Sequence, residues 1–228
     1  AEGVIGVASD ELPPLPDDIL QRPESGWVDP SSLFPNPDRP LEIEIGCGKG
    51  AFLVQQAPRS EGVNYLGIEW AGEFYAYTAD RLRRLGIANV RLMHADASEI
   101  FRWRLPDACC RVIHLYFSDP WPKPRHHKNR VVQHRFLADA WRTLTPGGEL
   151  RVVTDHDDLW AWDMEHFAKW TSGEPPIKLK DAPAPPFDLL PFEPPESAGS
   201  GELVGTNFER KFRREGRSFH AGVLRKRR

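Results

Sequence analysis

Cysteine is scarce in this 228-residue chain: there are three, two of them adjacent at Cys109 and Cys110. So few thiols cannot build a disulfide framework, and no C-x-x-C pair is present to suggest a zinc site. All three read as small buried side chains of a protein kept in a reducing compartment, so the expected location is the cytoplasm and no metal is expected. No apolar run approaches the roughly 20 residues that a membrane helix needs. Ala1–Asp18 is acidic and contains proline, unlike a secretory leader, and the chain starts without Met, as a processed or engineered product would. No internal repeat is visible. At this length one α/β domain with a sizeable core is expected rather than two.

An overall positive charge is also missing, since the formal net charge is −3. That would weigh against a nucleic-acid binder if charge were evenly spread, and it is not. Ala1–Pro30 holds seven acids and one Arg, Lys123–Arg151 seven Lys or Arg against two acids, and Asn207–Arg228 nine against two. Phosphate binding needs a local positive field, and two basic segments supply one if the fold joins them.

Residues 1–40 are proline-rich and weakly periodic, and read as an irregular acidic arm, partly packed through Trp27, Leu33 and Phe34. From 41 to 228 the pattern is that of one domain. Short strands are predicted at Leu41–Ile45, Asn64–Ile68, Val90–His94, Val112–Phe117 and Glu149–Thr154. Helices are predicted at Ala51–Gln56, Phe74–Leu85, Gln133–Leu144 and Leu159–Trp170. Gly173–Gly201 carries eight prolines in 29 residues and reads as a surface insertion. Thr206–Arg214 and Ser218–Leu224 read as a closing antiparallel pair. The expected fold is a doubly wound α/β protein with a mostly parallel, seven-stranded sheet. Ligands in such sheets bind beyond the carboxyl ends of the strands, near the topological switch point.

The first strand runs into Glu44-Ile45-Gly46-Cys47-Gly48-Lys49-Gly50. Its glycines permit a tight turn and a close ligand approach. Gly46, Gly48 and Ala51 also satisfy the dinucleotide pattern G-x-G-x-x-A, so the loop alone leaves the ligand open. Two features favour S-adenosylmethionine over NAD. Glu44 precedes the glycines, where a carboxylate suits a sulfonium and an ammonium group but repels a pyrophosphate. Asp96 lies beyond the third strand, where an adenine amino group can be read. With Glu69 at the second strand's end to hold ribose hydroxyls, three acids at successive strand tips form a coherent set.

After the fourth strand comes Ser118-Asp119-Pro120-Trp121-Pro122-Lys123-Pro124-Arg125-His126-His127-Lys128-Asn129-Arg130. Asp119 sits at the strand tip, and three prolines stiffen the loop behind it. The cations and histidines of Arg125–Arg130 on their own are an ordinary solvated face. At the ligand edge of the sheet they read better as RNA contacts. Adjacent histidines diverge, so His126-His127 is no metal site. Asp155 marks the fifth strand's tip.

These motifs, E-I-G-C-G-K-G, S-D-P-W-P-K, R-H-H-K, T-D-H and T-x-F-E-R in this order, resemble the tRNA (guanine-N7-)-methyltransferase family from about Leu41 to Ser218. The resemblance implies a Rossmann-like methyltransferase fold and methyl transfer from S-adenosylmethionine to N7 of a guanine in the tRNA variable loop. It implies cofactor contacts from Glu44, Gly46, Gly48, Gly50, Glu69, Asp96 and Asp119, with Asp119 also catalytic. It assigns substrate contacts to Lys123, Asp155, Thr206, Asn207, Phe208 and Glu209, and RNA contacts to Arg125, His126, His127, Lys128, Asn129 and Arg130. Asn207, Asn129 and Pro124 depart from the family's commoner basic residues. The expected partner is tRNA, with no obligatory protein partner and a monomer or weak homodimer. Two other readings remain at this point. Asp119-Pro120-Trp121 is similar to the D-P-P-W loop of methyltransferases acting on exocyclic amines, and a non-catalytic RNA-binding module would share the fold.

Overall fold

Apolar strands alternating with helices pack best as a parallel sheet with a helix layer on each face. The computed structural model, which describes residues 6–228, shows that arrangement with eight strands. They are β1 (Gly6–Ala8), β2 (Leu41–Ile45), β3 (Asn64–Glu69), β4 (Val90–His94), β5 (Cys110–Tyr116), β6 (Leu144–Thr154), β7 (Phe187–Leu190) and β8 (His220–Lys226). Their order across the sheet is β1-β4-β3-β2-β5-β6-β8-β7. Pairing is parallel from β1 through to β6, and β8 runs antiparallel to both β6 and β7. The chain winds outward from β2 to β4, then returns to β5 on the other side. The switch point therefore lies between β2 and β5, with the loops at Gly46 and Asp119 flanking the crevice.

The helices are α1 (Ala51–Gln56), α2 (Gly72–Arg84), α3 (Ala97–Trp103), α4 (His134–Thr143), α5 (Asp157–Thr171) and α6 (Asn207–Arg214). Side chains alternate across a strand, and β2 shows the consequence. Leu41, Ile43 and Ile45 join the larger core with Phe101, Phe136 and Trp170 of α3, α4 and α5. Glu42 and Glu44 face the other way, toward the layer that holds Phe52 and Leu53 of α1 and Leu82 of α2.

The doubly wound architecture is as expected, with four local differences. The arm is not wholly irregular: Gly6–Ala8 pairs with β4 as an eighth, edge strand, and Phe34 is buried in the core. The first five residues of the arm lie outside the described residues. Helix α3 begins after Asp96, whose carboxylate accepts the Ser98 N–H at 2.8 Å and caps it. The insertion is not a plain surface loop. Phe187 is buried and β7 pairs with β8, at a sheet edge where the flanking Pro186 and Pro191 are tolerated. Finally, Thr206–Arg214 is not a strand. Thr206 caps α6 through its hydroxyl, 3.1 Å from the Glu209 N–H, and β7 takes the expected place beside β8.

Candidate functional site

The glycine loop folds through three left-handed residues, Gly46, Gly48 and Gly50, at φ 67°, 52° and 66°. These positions tolerate few other residues. At Gly46 and Gly48 the space that a Cβ would fill is open, whereas a Cβ on Gly50 would meet Thr78 of α2. Thr78 also donates its hydroxyl to the Gly48 carbonyl at 2.7 Å, tying the loop to α2. Glu69 at the tip of β3 accepts the Gly48 N–H at 2.7 Å and the Ala71 N–H at 2.8 Å. One carboxylate thus fixes both the loop and the entry to α2.

Glu44 is only 5% exposed, and its Oε2 has no hydrogen-bond partner. Burial, aided by the nearby Glu69, pushes its carboxyl up to about 8. A buried carboxylate left without a partner is costly, so this one calls for a cationic ligand. Desolvation and the same two acids push the Cys47 thiol up as well, which makes it inert rather than nucleophilic. Asp96 is exposed beyond β4, with Oδ1 engaged in capping α3.

Two strand-face residues went unnoticed in the sequence. His114 and Tyr116 of β5 form a buried polar row with Glu42: His114 Nε2 lies 2.7 Å from Glu42 Oε2, and Nδ1 lies 2.7 Å from the Tyr116 hydroxyl. Arg111 completes the row with an Nη2–Oε1 pair of 2.7 Å to Glu42. Burial works to raise the Glu42 carboxyl, but His114 and Arg111 outweigh it and hold it below its usual range. Burial lowers His114 and raises Tyr116. The signal was there, since Glu42, Glu44, His114 and Tyr116 sit at a two-residue period in otherwise apolar strands.

Beyond β5 the backbone turns through a left-handed Phe117 (φ 55°), whose N–H donates to the Val153 carbonyl at 2.8 Å. This brings Asp119 out at the mouth of the crevice, exposed. Residues 124–129 form a 3-10 helix that presents Lys123, Arg125, Lys128 and Asn129 to solvent. His126 is packed against Trp121, and His127 against Trp162. Arg130 departs from the expectation of an RNA contact. Its side chain is buried, donates Nε to the Pro120 carbonyl at 2.9 Å, pairs with Asp158 and lies over Trp162. It braces the loop from beneath and cannot reach a phosphate.

The C-terminal motif sits beside this loop, because Phe117 packs against both Phe212 and Phe219. Asp155 accepts from Arg217 at 2.6 Å. Asn207 and Phe208 are exposed, and Thr206 is buried. Glu209 also departs from its expected role. It is fully buried, accepts the Leu203, Val204 and Gly205 N–H groups at 2.6, 2.8 and 2.9 Å, and pairs with Arg213. Both oxygens are committed to holding the loop before α6, so the carboxylate positions its neighbours rather than meeting substrate. Among the described residues no cluster of His, Cys, Asp and Glu could hold a metal ion, and no helix is long and apolar enough to cross a membrane.

Comparison with known proteins bears on the family. A family model described as putative methyltransferase matches residues 38–187. A tRNA (guanine-N(7)-)-methyltransferase of Nitrobacter hamburgensis is 40% identical over 155 residues, which is 68% of this chain and 60% of that protein. Another, of Alkalilimnicola ehrlichii, is 34% identical over 209 residues, 91% of this chain and 81% of the relative. Among solved structures the cyclase SpnF superposes with a TM-score of 0.51 over 83% of this chain and 75% of its own, at 14% identity, a likeness of fold alone. With the fold, the glycine loop, the aspartate loop and the relatives in agreement, the chain belongs to the tRNA (guanine-N7-)-methyltransferase family.

Proposed function

We propose that this protein transfers a methyl group from S-adenosylmethionine to N7 of a guanine in the variable loop of tRNA. The single observation that carries the cofactor assignment is Glu44. An unpartnered, buried carboxylate beside an open glycine loop fits a cationic ligand without phosphates and opposes a pyrophosphate. Glu69 and Asp96 are placed at adjacent strand tips for ribose hydroxyls and the adenine amino group. The exposed Trp70 beside Glu69 offers a face for a ring. The cofactor supplies an electrophilic methyl group on a sulfonium.

Guanine N7 carries a lone pair and no proton, so no general base is required. The protein's task is to align N7 with the methyl group, which is worth several kcal/mol. Guanine's N1–H and exocyclic amine are donors that a carboxylate can orient, and methylation leaves positive charge on the purine. Asp119, at the crevice mouth, suits both tasks as orienting group and electrostatic stabiliser. Lys123, Asp155, Asn207 and Phe208 are assigned to the approach, and the buried Thr206 positions that segment by capping α6. Glu209 and Arg130 hold that surround in place. Arg125, His126, His127, Lys128 and Asn129 form the RNA face of the aspartate loop. We place the enzyme in the cytoplasm, as a monomer or weak homodimer.

The test is incubation with isotopically labelled S-adenosylmethionine and total tRNA, then nucleoside analysis. Labelled 7-methylguanosine, with chain cleavage at that site by borohydride and aniline, is the expected result. Label on an exocyclic amine would replace this reading with the D-P-P-W type of reaction.

A further inference from the structure

One exposed face runs outward from the rim of the cofactor crevice along α2 and has no part in the aspartate loop. Trp70, just before α2, and Phe74, Tyr77 and Arg81 within it are spaced four, three and four residues apart, which places them on one side of the helix. Three of the six most exposed large apolar side chains among the described residues, Trp70, Tyr77 and Leu85, belong to or flank α2. Trp70 is 72% exposed and Tyr77 47%. Scattered exposed apolar residues need no explanation, but these are interleaved with cations. Lys49 of the glycine loop lies 5.8 Å from the ring centroids of both Phe74 and Tyr77, and Arg81 donates to the Lys49 carbonyl at 2.9 Å. Lys49 adds a cation from the glycine loop, and within α2 Arg81, Arg83 and Arg84 stand against two acids, Glu73 and Asp80. One of these, Asp80, is shared between Arg83 and Arg84 at 2.8 Å each.

We infer that the outer face of α2, with Lys49, is a second RNA-contact surface, where a tRNA base stacks on Tyr77 and phosphates meet Arg81 and Lys49. The inference rests on the tRNA reading of the site. Positive charge set among aromatic rings is the pattern that binds unpaired nucleotides, whose bases stack while their backbone is neutralised. A purely apolar protein partner would leave these cations desolvated and unpaired. The surface is well placed for the same RNA. It lies beyond β3 on one side of β2, whereas the Lys123–Lys128 loop lies beyond β5 on the other. A tRNA lying across the crevice would touch both rims.

The test compares Tyr77→Ala, Tyr77→Phe and Arg81→Gln with the unaltered protein. Equilibrium tRNA binding is read across a salt series, alongside tRNA KM, kcat and S-adenosylmethionine affinity. Tyr77→Ala should weaken tRNA binding and raise its KM about fivefold or more, as loss of one stacked base does. Its kcat and cofactor affinity should not change. Tyr77→Phe keeps the ring and should behave like the parent. Arg81→Gln should flatten the salt slope by about 0.7–0.9 log units, one phosphate's worth. Parental tRNA binding and salt slope in both Tyr77→Ala and Arg81→Gln would overturn the inference. So would a shift in solution mass on Tyr77→Ala with tRNA binding unchanged, which would make the face a protein contact. Binding is measured without turnover, so failure to form 7-methylguanosine would count against the proposed reaction and leave this surface to be judged separately.

Discussion

Glu44 gives a prediction whose size comes from its surroundings. In the free protein its carboxyl is pushed up from 4.5 to about 8 by burial and by Glu69. Between these values the folded chain keeps a proton that the unfolded chain has lost. Stability contributed by Glu44 is therefore fully present below about pH 4.5 and is lost as pH rises toward 8. The slope is at most about 1.4 kcal/mol per pH unit, or roughly 3 kcal/mol lost by pH 7. A cationic ligand reverses the preference, because it binds the ionised form. Near pH 7 some nine-tenths of the Glu44 population is still protonated, so cofactor binding should release on the order of 0.9 proton.

The assay is calorimetric titration of S-adenosylmethionine in two buffers that differ in ionisation heat, repeated from pH 6 to 8.5. Below pH 8 the affinity should rise nearly tenfold per pH unit, then level off. Glu44→Gln should abolish the proton release and weaken binding. In compensation, the free variant should be more stable than the parent at pH 8 by up to about 4 kcal/mol, the loss that ionisation of the buried Glu44 has accumulated by then. Equal heats in both buffers, with a flat affinity and wild-type binding by Glu44→Gln, would refute the pairing of Glu44 with the cofactor's cations.

Neighbouring contacts set further outcomes. Asp119→Asn should lose about 2–4 kcal/mol of transition-state stabilisation, measured as kcat/KM. Glu209→Ala leaves three backbone N–H groups without an acceptor and should cost about 3 kcal/mol or more in urea unfolding. Those N–H bonds and Arg213 outweigh the effect of burial and lower the Glu209 carboxyl, so its stabilisation holds above the ordinary Glu range and is lost as acid protonates it. Asp163 on α5 is pushed up to about 8 by burial, with Oδ1 unpartnered, so Asp163→Asn should be neutral or stabilising at pH 8 by thermal melting. Phe187→Ala, within the proline-rich insertion, should destabilise by about 3–5 kcal/mol, and a Tm unchanged from the parent would show that the insertion is dispensable to the core.

The strands and the crevice were legible in the sequence because their signals are local. Short apolar runs, each ending at a glycine or an acid, fix both the sheet and its ligand edge. Glu44, Glu69, Asp96 and Asp119 were found from their places at or near the carboxyl ends of successive strands. The features that escaped depend on partners distant in sequence. Glu209 was legible as part of a motif, but its role is set by Leu203, Val204 and Gly205, which curl back onto it. The T-x-x-E spacing at Thr206 is that of a helix start, and it prevails over the strand expected there. Arg130 closes a run of exposed cations, and only the fold shows that Pro120 and Asp158 draw it inward. The insertion misled by composition, since four residues between prolines, three of them apolar, suffice for an edge strand.

The buried polar row explains why Glu44 stays so strongly perturbed. Charged neighbours would ordinarily neutralise a carboxylate in the middle of a sheet. Arg111 and His114 are nearby, but both are committed to Glu42. Arg151 of β6 is drawn to Glu149, the Glu193 carbonyl and the Phe192 ring, 4.8 Å from its guanidinium. Phe52 seals the row, its centroid 4.7 Å from that of His114 and 5.2 Å from that of Tyr116. Glu42 is thereby satisfied internally, while Glu44, two residues closer to the glycine loop, is left with no cation of the protein's own. A sheet that compensates one of two adjacent buried acids and leaves the other bare has reserved the second for charge arriving from outside. The row is also testable by this logic: Glu42→Gln should release Arg111 and His114 and perturb the pH dependence of cofactor binding without contacting the cofactor.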